Sequence, residues 1–472
     1  MYRSRPDCGD YPEAKDREEV SYAGCVLMQV ADDDGMLVPK RRADGRRGRT
    51  PKGRTANQER FAREGDEELA SVVVPMLRPI ELDCLAGARP AVADGSRTPE
   101  PEHVKIGVML RAIDGQGGIG IYCQNLMDRL LAMDGANRYV LYYAKPQFVG
   151  RYARYDHVEE RYLKAPNKAV WDQLIVPQEA RRDGIDVLFH TKFTLPLFTR
   201  CRTVMAVHGA SWFVAPQLYG KLDVAYIRMV MPLYCGKADA IMSNSQLTTD
   251  DFIRILKVPP EKIHTALLAA DDAFKPVTDP TELAATRKEY KLPPRFMLSV
   301  VKYDPRKNVP NLLEAFGLCR QRTECKLVVV GTGCEKYRHE CRLVEKGCDE
   351  DVTFLGWVDN RRLPALYSLA DFLFFPSVYE EFGIPTVEAM SCGTPVVVAK
   401  TGALPELAGD AGLLVDPDNP RQMADAIHQM WTDEGFRTEK ARLAVGRSKQ
   451  FSWDKCARQT LDVLESVGRG NR

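Results

Sequence analysis

From Val104 onward, this chain alternates short, continuous apolar runs with stretches of helical periodicity. The first run, "VKIGVML" (104–110), leads through a glycine-rich turn into "IGIYCQNLMDRLLAM" (119–133). A continuous apolar run of this length is typical of a parallel strand that is buried on both faces, and a helix after it is the usual crossover to the next strand. The pattern therefore predicts an α/β protein with parallel sheets and helices on both faces.

The alternation comes in two series, and 472 residues are too many for one ordinary core. The strands predicted after the first are 138–144, 185–190, 203–209 and 238–245 in the first series, and 295–301, 325–331, 351–356, 371–377 and 394–400 in the second. Prolines and few large apolar residues at 276–294 indicate a linker. We expect two Rossmann-like domains that face a cleft, at 104–275 and 295–450, with an amphipathic helix in 451–472.

Residues 1–103 have a different composition. The block "PKRRADGRRGRTPKGRT" (39–55) is basic and almost without apolar residues, and an acidic patch follows it. Such a segment cannot bury enough surface to offset the entropy of ordering, so we expect a disordered basic and acidic arm. A solvated tail is favoured over a binding segment for an acidic partner.

Charge, cysteine pattern and hydropathy limit the classes of protein to which this chain can belong. The net charge of +1 gives no reason to expect nucleic-acid binding. The 13 cysteines include no CxxC pair, and Cys334, Cys341 and Cys348 recur at a spacing that fits a helix face better than a metal site. Reduced thiols and the lack of a membrane-length apolar run favour a cytoplasmic protein, with peripheral contact to the inner membrane face left open.

The segment "YEEFGIPTVEAMSCGTPVVV" (379–398) carries the strongest chemical signal. Glu380 lies just beyond a predicted strand, at the sheet edge where open α/β proteins bind ligands, and Glu388 follows in a short helix. Gly383 permits a turn close to a ligand, Pro385 suits the first helical turn, and the N–H groups at 382–386 would favour an anion. Two carboxylates beside an anion site fit a diphosphate with hydroxyl groups on both sides, as in a nucleotide sugar. The alternatives are a solvated Glu380 and a Glu388 that only complements the helix dipole.

Cations follow the first strand of the same domain. The loop "SVVKYDPRKN" (299–308) brings Lys302, Arg306 and Lys307 to the same sheet edge, where they could neutralise a diphosphate. An ordinary charged surface loop is at least as good a reading of this segment alone. The shared edge with Glu380 is what favours a binding role.

The first domain gives weaker signals. Its glycine loop "DGQGGIG" (114–120) lacks the spacing of a dinucleotide fingerprint, although Gly118 could let a substrate approach the backbone. His208 ends a predicted strand and is expected at the cleft, and His190 has the same geometry with a weaker claim. Either histidine could equally be structural.

Taken together, these residues resemble the family-4 group of retaining glycosyltransferases with the GT-B fold, which includes bacterial mannosyl- and glucosyltransferases. The resemblance runs from about Val104 to the C-terminus and rests chiefly on the E-x7-E signature of Glu380 and Glu388. The motifs that add to it are "GGIG" in the first domain, "RKN" (306–308), "V-x-F-L-G" (352–356) and "LPELAGDAGLLVDP" (404–417). This chain has Glu381 where the family usually has glycine, and Val301-Lys302 where it often has Gly-Arg.

For the donor, the resemblance implies a nucleotide sugar held by the second domain, with GDP-mannose and UDP-hexoses as the leading choices. Glu388 would bind the ribose, and Lys307, with Lys302 or Arg306, would neutralise the diphosphate. Glu380 would hold the transferred sugar. The backbone around it would do the same through Phe382, Gly383 and Ile384.

For the acceptor, the resemblance implies a growing surface glycan or lipid-linked sugar on the first domain, as in polysaccharide biosynthesis. Gly118 and His208 would reach the reacting sugar, and the final helix would cross back to this domain. Neither a metal nor a further cofactor would be needed. Retention would follow from same-face attack through an oxocarbenium-like state, with the leaving phosphate taking the acceptor proton.

Three other functions remain open at this point. A nucleotide-sugar epimerase shares the fold but needs additional acid and base carboxylates. A non-catalytic sugar-nucleotide binder is disfavoured by the intact Glu380, Glu388 and Lys307. A dehydrogenase is the weakest, because the dinucleotide fingerprint is wrong.

Overall fold

The computed structural model describes residues 103–115, 117–343 and 347–470. The predicted disordered arm, apart from His103, lies outside the described residues. In the described part of the chain, no helix is both long and apolar enough to cross a membrane.

The first domain is built on a seven-stranded parallel sheet with the order β3-β2-β1-β4-β5-β6-β7. Its strands are β1 (Lys105–Met109), β2 (Arg138–Tyr143), β3 (Val158–Tyr162), β4 (Val187–His190), β5 (Arg202–Val207), β6 (Ala240–Ser243) and β7 (Ile263–Thr265). In the register, Ile106 lies opposite Tyr139 on one side and Val187 on the other. The central strands are fully buried because helices cover both faces of the sheet.

The second domain repeats the plan with six parallel strands in the order β10-β9-β8-β11-β12-β13. These strands are β8 (Met297–Val300), β9 (Leu327–Val330), β10 (Val352–Gly356), β11 (Phe372–Phe375), β12 (Val396–Ala399) and β13 (Gly412–Val415). The strand order reverses between β8 and β11, and such a switch point opens a crevice at the carboxyl edge. The prediction of two Rossmann-like domains is confirmed.

Fifteen α-helical segments are described between and after these strands. In the first domain they are α1 (Gly118–Met133), α2 (Lys168–Val170), α3 (Val176–Arg182), α4 (Ser211–Val214), α5 (Lys221–Lys237) and α6 (Gln246–Leu256). The others are α7 (Pro280–Glu289), α8 (Val309–Arg320), α9 (Tyr337–Glu340), α10 (Leu363–Leu369), α11 (Ile384–Ser391), α12 (Leu404–Ala408), α13 (Pro420–Thr432), α14 (Glu434–Ser448) and α15 (Trp453–Arg469). A π-helical segment, Trp171–Ile175, joins α2 to α3.

Three strands were not predicted, and all three lie at sheet edges. β3 ("VEERY") is charged and partly exposed, β7 has only three residues, and β13 is half exposed. An edge strand is open to solvent along one side, so it needs no continuous apolar run.

The segment predicted as a linker holds a helix, and one other sequence interpretation needs correction. The segment 276–294, predicted as a linker, contains α7, which Asp279 caps at its first turn. It is packed against the second domain, since the backbone N–H of Val277 donates to Ser368 Oγ at 3.0 Å. Cys334 and Cys348 do not share a helix face, because α9 ends at Glu340.

The final helix, α15, packs on the first domain. Asn137 Nδ2 donates to Glu465 Oε1 at 2.8 Å, and a Cβ on Gly468 would lie 2.4 Å from Val104. At its start, the rings of Trp453 and Tyr122 are 6.3 Å apart. The chain thus passes from the second domain back to the first.

Candidate functional site

The helix α11 begins and ends as its sequence dictates. Gly383 is its N-cap with φ +101°, a backbone conformation that disfavours any side chain, and Pro385 occupies the first turn. At the other end, the N–H of Gly393 (φ +81°) donates to Met390 O and the N–H of Thr394 to Ala389 O. These two bonds form a Schellman motif. The short helix is therefore fixed at both ends, with its N-terminus at the carboxyl edge of the sheet.

The turn after β12 packs against the backbone of Glu380 and hydrogen-bonds to it. The N–H of Ala403 donates to Glu380 O at 2.9 Å. Gly402 has φ +62°, and a Cβ there would lie 2.5 Å from Glu380 O and 2.7 Å from Glu380 N. Only glycine allows the two backbones to approach so closely, and the carboxylate is positioned as a result.

Lys307 and Glu380 meet at the carboxyl edge of the second sheet, as predicted from their positions after two strands of that sheet. Lys307 Nζ donates to Glu380 Oε1 at 2.6 Å, and both side chains are mostly buried. Asn308, in the left-handed region at φ +58°, donates from Nδ2 to Pro376 O and Pro417 O at 3.0 and 2.7 Å. It therefore ties the loops after β8, β11 and β13 together, which makes the edge rigid.

The backbone donors at the start of α11 are fewer than predicted. Pro385 has no N–H, and the N–H of Thr386 donates to Gly383 O at 2.9 Å. The N–H groups of Phe382, Gly383 and Ile384 have no acceptor among the described residues. These three groups, next to Lys307, are suited to an anion.

Glu388 lies one turn deeper in α11, with 8% of its surface exposed. Tyr367 donates its hydroxyl to Glu388 Oε2 at 2.9 Å. Burial raises the pKa of Glu388 to about 7, and the bond from Tyr367 opposes that rise. The carboxyl group is thus available as a hydrogen-bond partner in a dry environment, in either protonation state near neutral pH.

The other two candidate cations lie in the same loop. The guanidinium of Arg306 makes several bonds to Asp304, including one of 2.6 Å, and donates from Nη1 to Tyr219 OH in the first domain at 3.0 Å. These bonds keep the pKa of Asp304 below its ordinary value despite its burial. Lys302 is half-buried two residues after the end of β8. Lys307 is therefore the cation that the structure places against Glu380.

The glycine loop of the first domain faces α11. Gly118, the first residue of α1, is exposed, and a Cβ on it would lie 3.9 Å from the Ile384 side chain. Behind it, a Cβ on Gly120 would lie 1.7 Å from Gly115 O, so Gly120 is required by packing. The glycine loop therefore leaves room on the side that faces the start of α11.

His208 follows β5 at the same cleft. Its Nε2 is 2.9 Å from Thr191 O, so Nε2 carries the proton and Nδ1 is an acceptor. Burial lowers the pKa of His208 to about 4, and its ring lies edge-on to Tyr122 with 4.8 Å between centroids. The imidazole is neutral at physiological pH.

His190 belongs to a buried cluster behind the glycine loop. Its Nδ1 is 2.5 Å from Thr194 O, and burial lowers its pKa to about 4. Asp172, in the π-helical segment, accepts from Arg111 Nη2 at 3.0 Å and from Thr194 Oγ1 at 2.9 Å. His190 is thus held in the cluster through Nδ1, while its Nε2 is buried without a hydrogen-bond partner among the described residues.

Two family models match the chain, one on each domain. "Glycosyltransferase Family 4" matches residues 116–272 and "Glycosyl transferases group 1" matches residues 284–447. The O-antigen chain mannosyltransferase B of Escherichia coli is 32% identical over 313 residues, which cover 65% of this chain and 80% of that relative. This chain belongs to the group 1 glycosyltransferases of family 4. It is a glycosyltransferase.

Further similarities agree with this assignment. A D-inositol 3-phosphate glycosyltransferase of Salinispora tropica is 32% identical over 48% of this glycosyltransferase and 51% of that relative. Among solved structures, HepE of Anabaena in complex with UDP and glucose has a TM-score of 0.62 at 21% identity, covering 77% of this chain and all of that one. Sucrose-phosphate synthase of Thermosynechococcus elongatus has a TM-score of 0.64 at 21% identity, with 77% and 99% covered. These structures show that the fold is GT-B.

Glu381, the departure from the family pattern, joins the two domains of the glycosyltransferase. Its Cγ lies where a Cβ on Gly209 (φ +146°) would be, at 1.8 Å, and Ser211 hydrogen-bonds its carboxylate. Tyr219 donates to Ser211 Oγ at 2.6 Å and accepts from Arg306. Burial raises the pKa of Glu381, and the charge of Arg306 opposes the rise. The side chain thus completes a polar chain across the domain boundary.

Several of these residues carry no signal in the sequence. Tyr367 and Tyr219 lie in ordinary helical or loop segments, and nothing local predicts their partners. Asn308 was visible as part of "RKN", and Gly402 as a glycine two residues after the predicted strand 394–400. Both could have been recognised as turn residues, since asparagine and glycine tolerate positive φ.

Proposed function

We propose that this glycosyltransferase moves a hexose, of mannose or glucose type, from a GDP- or UDP-sugar to a hydroxyl of a glycan or lipid-linked acceptor. Transfer would retain the anomeric configuration and need no metal or other cofactor. The observation that carries the proposal is the Lys307–Glu380 pair beside the N-terminus of α11, with Glu388 one turn deeper. A cation, two carboxylates and free N–H groups match the parts of one nucleotide sugar.

The proposed donor site divides into three parts. Lys307 and the N–H groups of 382–384 would bind the diphosphate, with Lys302 or Arg306 as a second cation. Glu388 would accept hydrogen bonds from the ribose diol, because a carboxylate offers two acceptor oxygens. Glu380 would accept from hydroxyls of the transferred sugar.

Catalysis would rest on position and charge. Lys307 and the helix N-terminus would stabilise the negative charge that develops on the leaving phosphate, which in turn takes the proton of the acceptor hydroxyl. Gly118 would leave room for the sugar, and neutral His208 would accept a hydrogen bond at Nδ1. Because Lys307 supplies positive charge where the phosphate leaves, a metal is not required by this scheme.

Relatives support the choice of substrates. HepE was solved with UDP-glucose, and the E. coli relative is named a mannosyltransferase of the O-antigen chain. A growing surface glycan or lipid-linked sugar is the acceptor we propose on this basis. A cytoplasmic location with peripheral contact to the inner membrane face follows from such an acceptor.

A thermal-shift panel tests the donor site first. Wild type and Glu388→Ala are heated with UDP, GDP, ADP, their sugar conjugates and NAD, since a ligand that binds only the folded state raises the melting temperature. We expect one nucleotide and its sugar to stabilise the wild type and to lose most of that effect in the variant. Stabilisation by NAD alone, or by no nucleotide in a folded protein, would refute the proposal.

A further inference from the structure

The segment that carries Glu380 is attached to the first domain on both sides of that residue. Tyr379 donates its hydroxyl to Asp251 Oδ2, in α6, at 3.1 Å. The carbonyl oxygen of Glu381 accepts from Ser245 Oγ, at the N-cap of α6, at 2.8 Å. Glu380 lies between these two attachments, so its backbone is fixed relative to the first domain.

The side chain of Glu381 reaches the turn that follows His208. Its Cγ lies beside Gly209, 1.8 Å from the position that a Cβ on that glycine would take, and Ser211 hydrogen-bonds its carboxylate. Gly209 comes directly after His208 in the chain. Glu381 therefore contacts the backbone next to the imidazole that we assign to the acceptor side.

A second path of hydrogen bonds links the same two residues. Asn244 donates from Nδ2 to His208 O at 3.3 Å. The next residue in the chain, Ser245, is the one that donates to the carbonyl oxygen of Glu381. The carbonyl of His208 and the glycine after it are thus both connected to Glu381, and the contacts form a closed ring.

The other contacts of His208 lie within the first domain. Its Nε2 is held by Thr191 O, and its ring packs edge-on against Tyr122. These contacts orient the imidazole in its own domain, but they do not relate it to the second domain. The contacts of Glu381 do so, because Glu381 is the residue next to Glu380.

Shape accounts for the contact of Glu381 better than charge does. The guanidinium of Arg306 is engaged by Asp304 and by Tyr219, so it is not reserved for Glu381. The family usually has glycine where this chain has Glu381, and the facing turn has Gly209 with no side chain to obstruct it. A long side chain in one loop therefore fits against a glycine in the other.

We propose that Glu381 is a positioning residue for sugar transfer, which sets His208 of the first domain against Glu380 of the second. The proposal rests on the proposed function, since it takes Glu380 as a contact of the transferred sugar and His208 as a contact on the acceptor side. A wrong distance between them would misplace the acceptor hydroxyl relative to the anomeric carbon, and a misplacement of about 1 Å can lower the rate about a hundredfold. Donor affinity would change little, because Lys307 and Glu388 are held by partners within the second domain.

The test is steady-state kinetics of the full chain, with GDP-mannose and UDP-glucose as donors and with methyl α-mannoside and water as acceptors. We expect Glu381→Gly and Glu381→Ala to lower kcat at least about tenfold while KM for the donor stays within about twofold. Glu381→Gln keeps the packing and an oxygen for Ser211, so it should retain most of kcat. Glu324→Gly is the matched control, because Glu324 is exposed before β9, at the opposite end of that strand from the site. It should leave both constants unchanged.

Three results would overturn the role of Glu381 in an active enzyme. One is a Glu381→Gly variant with the kinetics of the wild type. Another is an equal loss of kcat in Glu381→Gln, which would make the charge of Glu381 the decisive property. The third is a raised KM for the donor at unchanged kcat, which would make Glu381 part of the donor site.

Two further measurements separate the possible failures. Melting temperatures of all variants show whether a loss of kcat comes from unfolding, and Glu381→Ala replaces Glu381→Gly if the glycine variant does not fold. A folded wild type that neither transfers nor hydrolyses either donor would refute the proposed function, and the role of Glu381 with it. An active wild type with an unaffected Glu381→Gly would refute the role of Glu381 alone.

Discussion

The two domains share one architecture, but their carboxyl edges are built in different ways. In the second domain, backbone and asparagine bonds tie neighbouring loops together: Val378 N donates to Arg306 O at 2.8 Å, and Asn308 bonds two further loops. In the first domain, the edge holds neutral histidines and a buried Arg111–Asp172 pair. The second edge is thus a charged frame whose loops are tied together, whereas the first combines neutral histidines with charges held in ion pairs.

This difference shows how one fold can divide the work of a transfer reaction. A diphosphate needs fixed charge and fixed N–H groups, since stabilisation is strongest when the donors need not reorganise. An acceptor hydroxyl needs room and a hydrogen-bond partner, which Gly118 and His208 can offer. The contrast predicts that charge changes are most damaging in the second domain.

The largest effect is expected from Glu380→Gln. Loss of this carboxylate should lower kcat by about a hundredfold or more, because the sugar loses a charged acceptor in a mostly buried site. Sugar transfer to an acceptor and the melting temperature are measured together. Glu324→Gln is the control, since Glu324 is exposed and lies before β9, at the opposite end of that strand from the site. If Glu380→Gln turns over at nearly the wild-type rate, Glu380 is not part of the active site.

Gly209→Ala tests the contact between the two edges. The new Cβ would meet Glu381 Cγ, so we expect lower activity and a loss of stability of about 1–3 kcal/mol. The double variant Gly209→Ala/Glu381→Gly removes the collision, although the unfavourable φ remains. Part of the loss should therefore return, with a coupling of about 1 kcal/mol in denaturant unfolding. If the effects of the two substitutions on the free energy of unfolding simply add, Glu381 does not make the close contact with Gly209.

The pKa of Glu388 predicts a dependence of stability on pH. Because the folded pKa, about 7, is above that of the unfolded chain, the penalty for burying the carboxylate is absent below about pH 4.5 and complete above pH 7. Glu388→Gln should therefore stabilise the ligand-free protein above pH 7, by at most about 3 kcal/mol, and have little effect near pH 4.5. Unfolding of both proteins is followed across this range. A difference that grows toward acid pH would contradict the raised pKa.

The smallest effect is expected from Glu406→Gln, which weakens the hold of one domain on the other. The carboxylate of Glu406 accepts from the N–H groups of Gln246 and Leu247, at the start of α6, at 2.9 and 3.2 Å. Loss of the charge should lower the free energy of unfolding by about 0.5–1 kcal/mol. It should also raise KM for the donor slightly. Glu434→Gln is the control, because Glu434 stands in the first turn of α14 within one domain. If Glu406→Gln and Glu434→Gln change KM equally, the contact of Glu406 with α6 does not affect donor binding.

Much of the fold could be predicted from local patterns. The central strands were recognised because burial on both faces demands continuous apolar runs, as in "FLFF" of β11. β3, β7 and β13 were missed because these three edge strands carry no such pattern. α7 was missed although Asp279 and Pro280 mark its start, because its sequence is polar and its few buried contacts leave no clear periodicity.

The sequence by itself determined which chemical groups stand at the edge of the second sheet, because parallel strands all end on the same side. It also determined the turn at Gly383 and the end of α11, which depend on backbone conformations that few residues adopt. Only the tertiary structure decided which partners these groups have. Arg306 bonds Tyr219, Glu381 packs on Gly209, and Glu388 accepts from Tyr367. These residues are distant in sequence, and their contacts depend on how helices and domains pack, for which a single sequence carries no local signal.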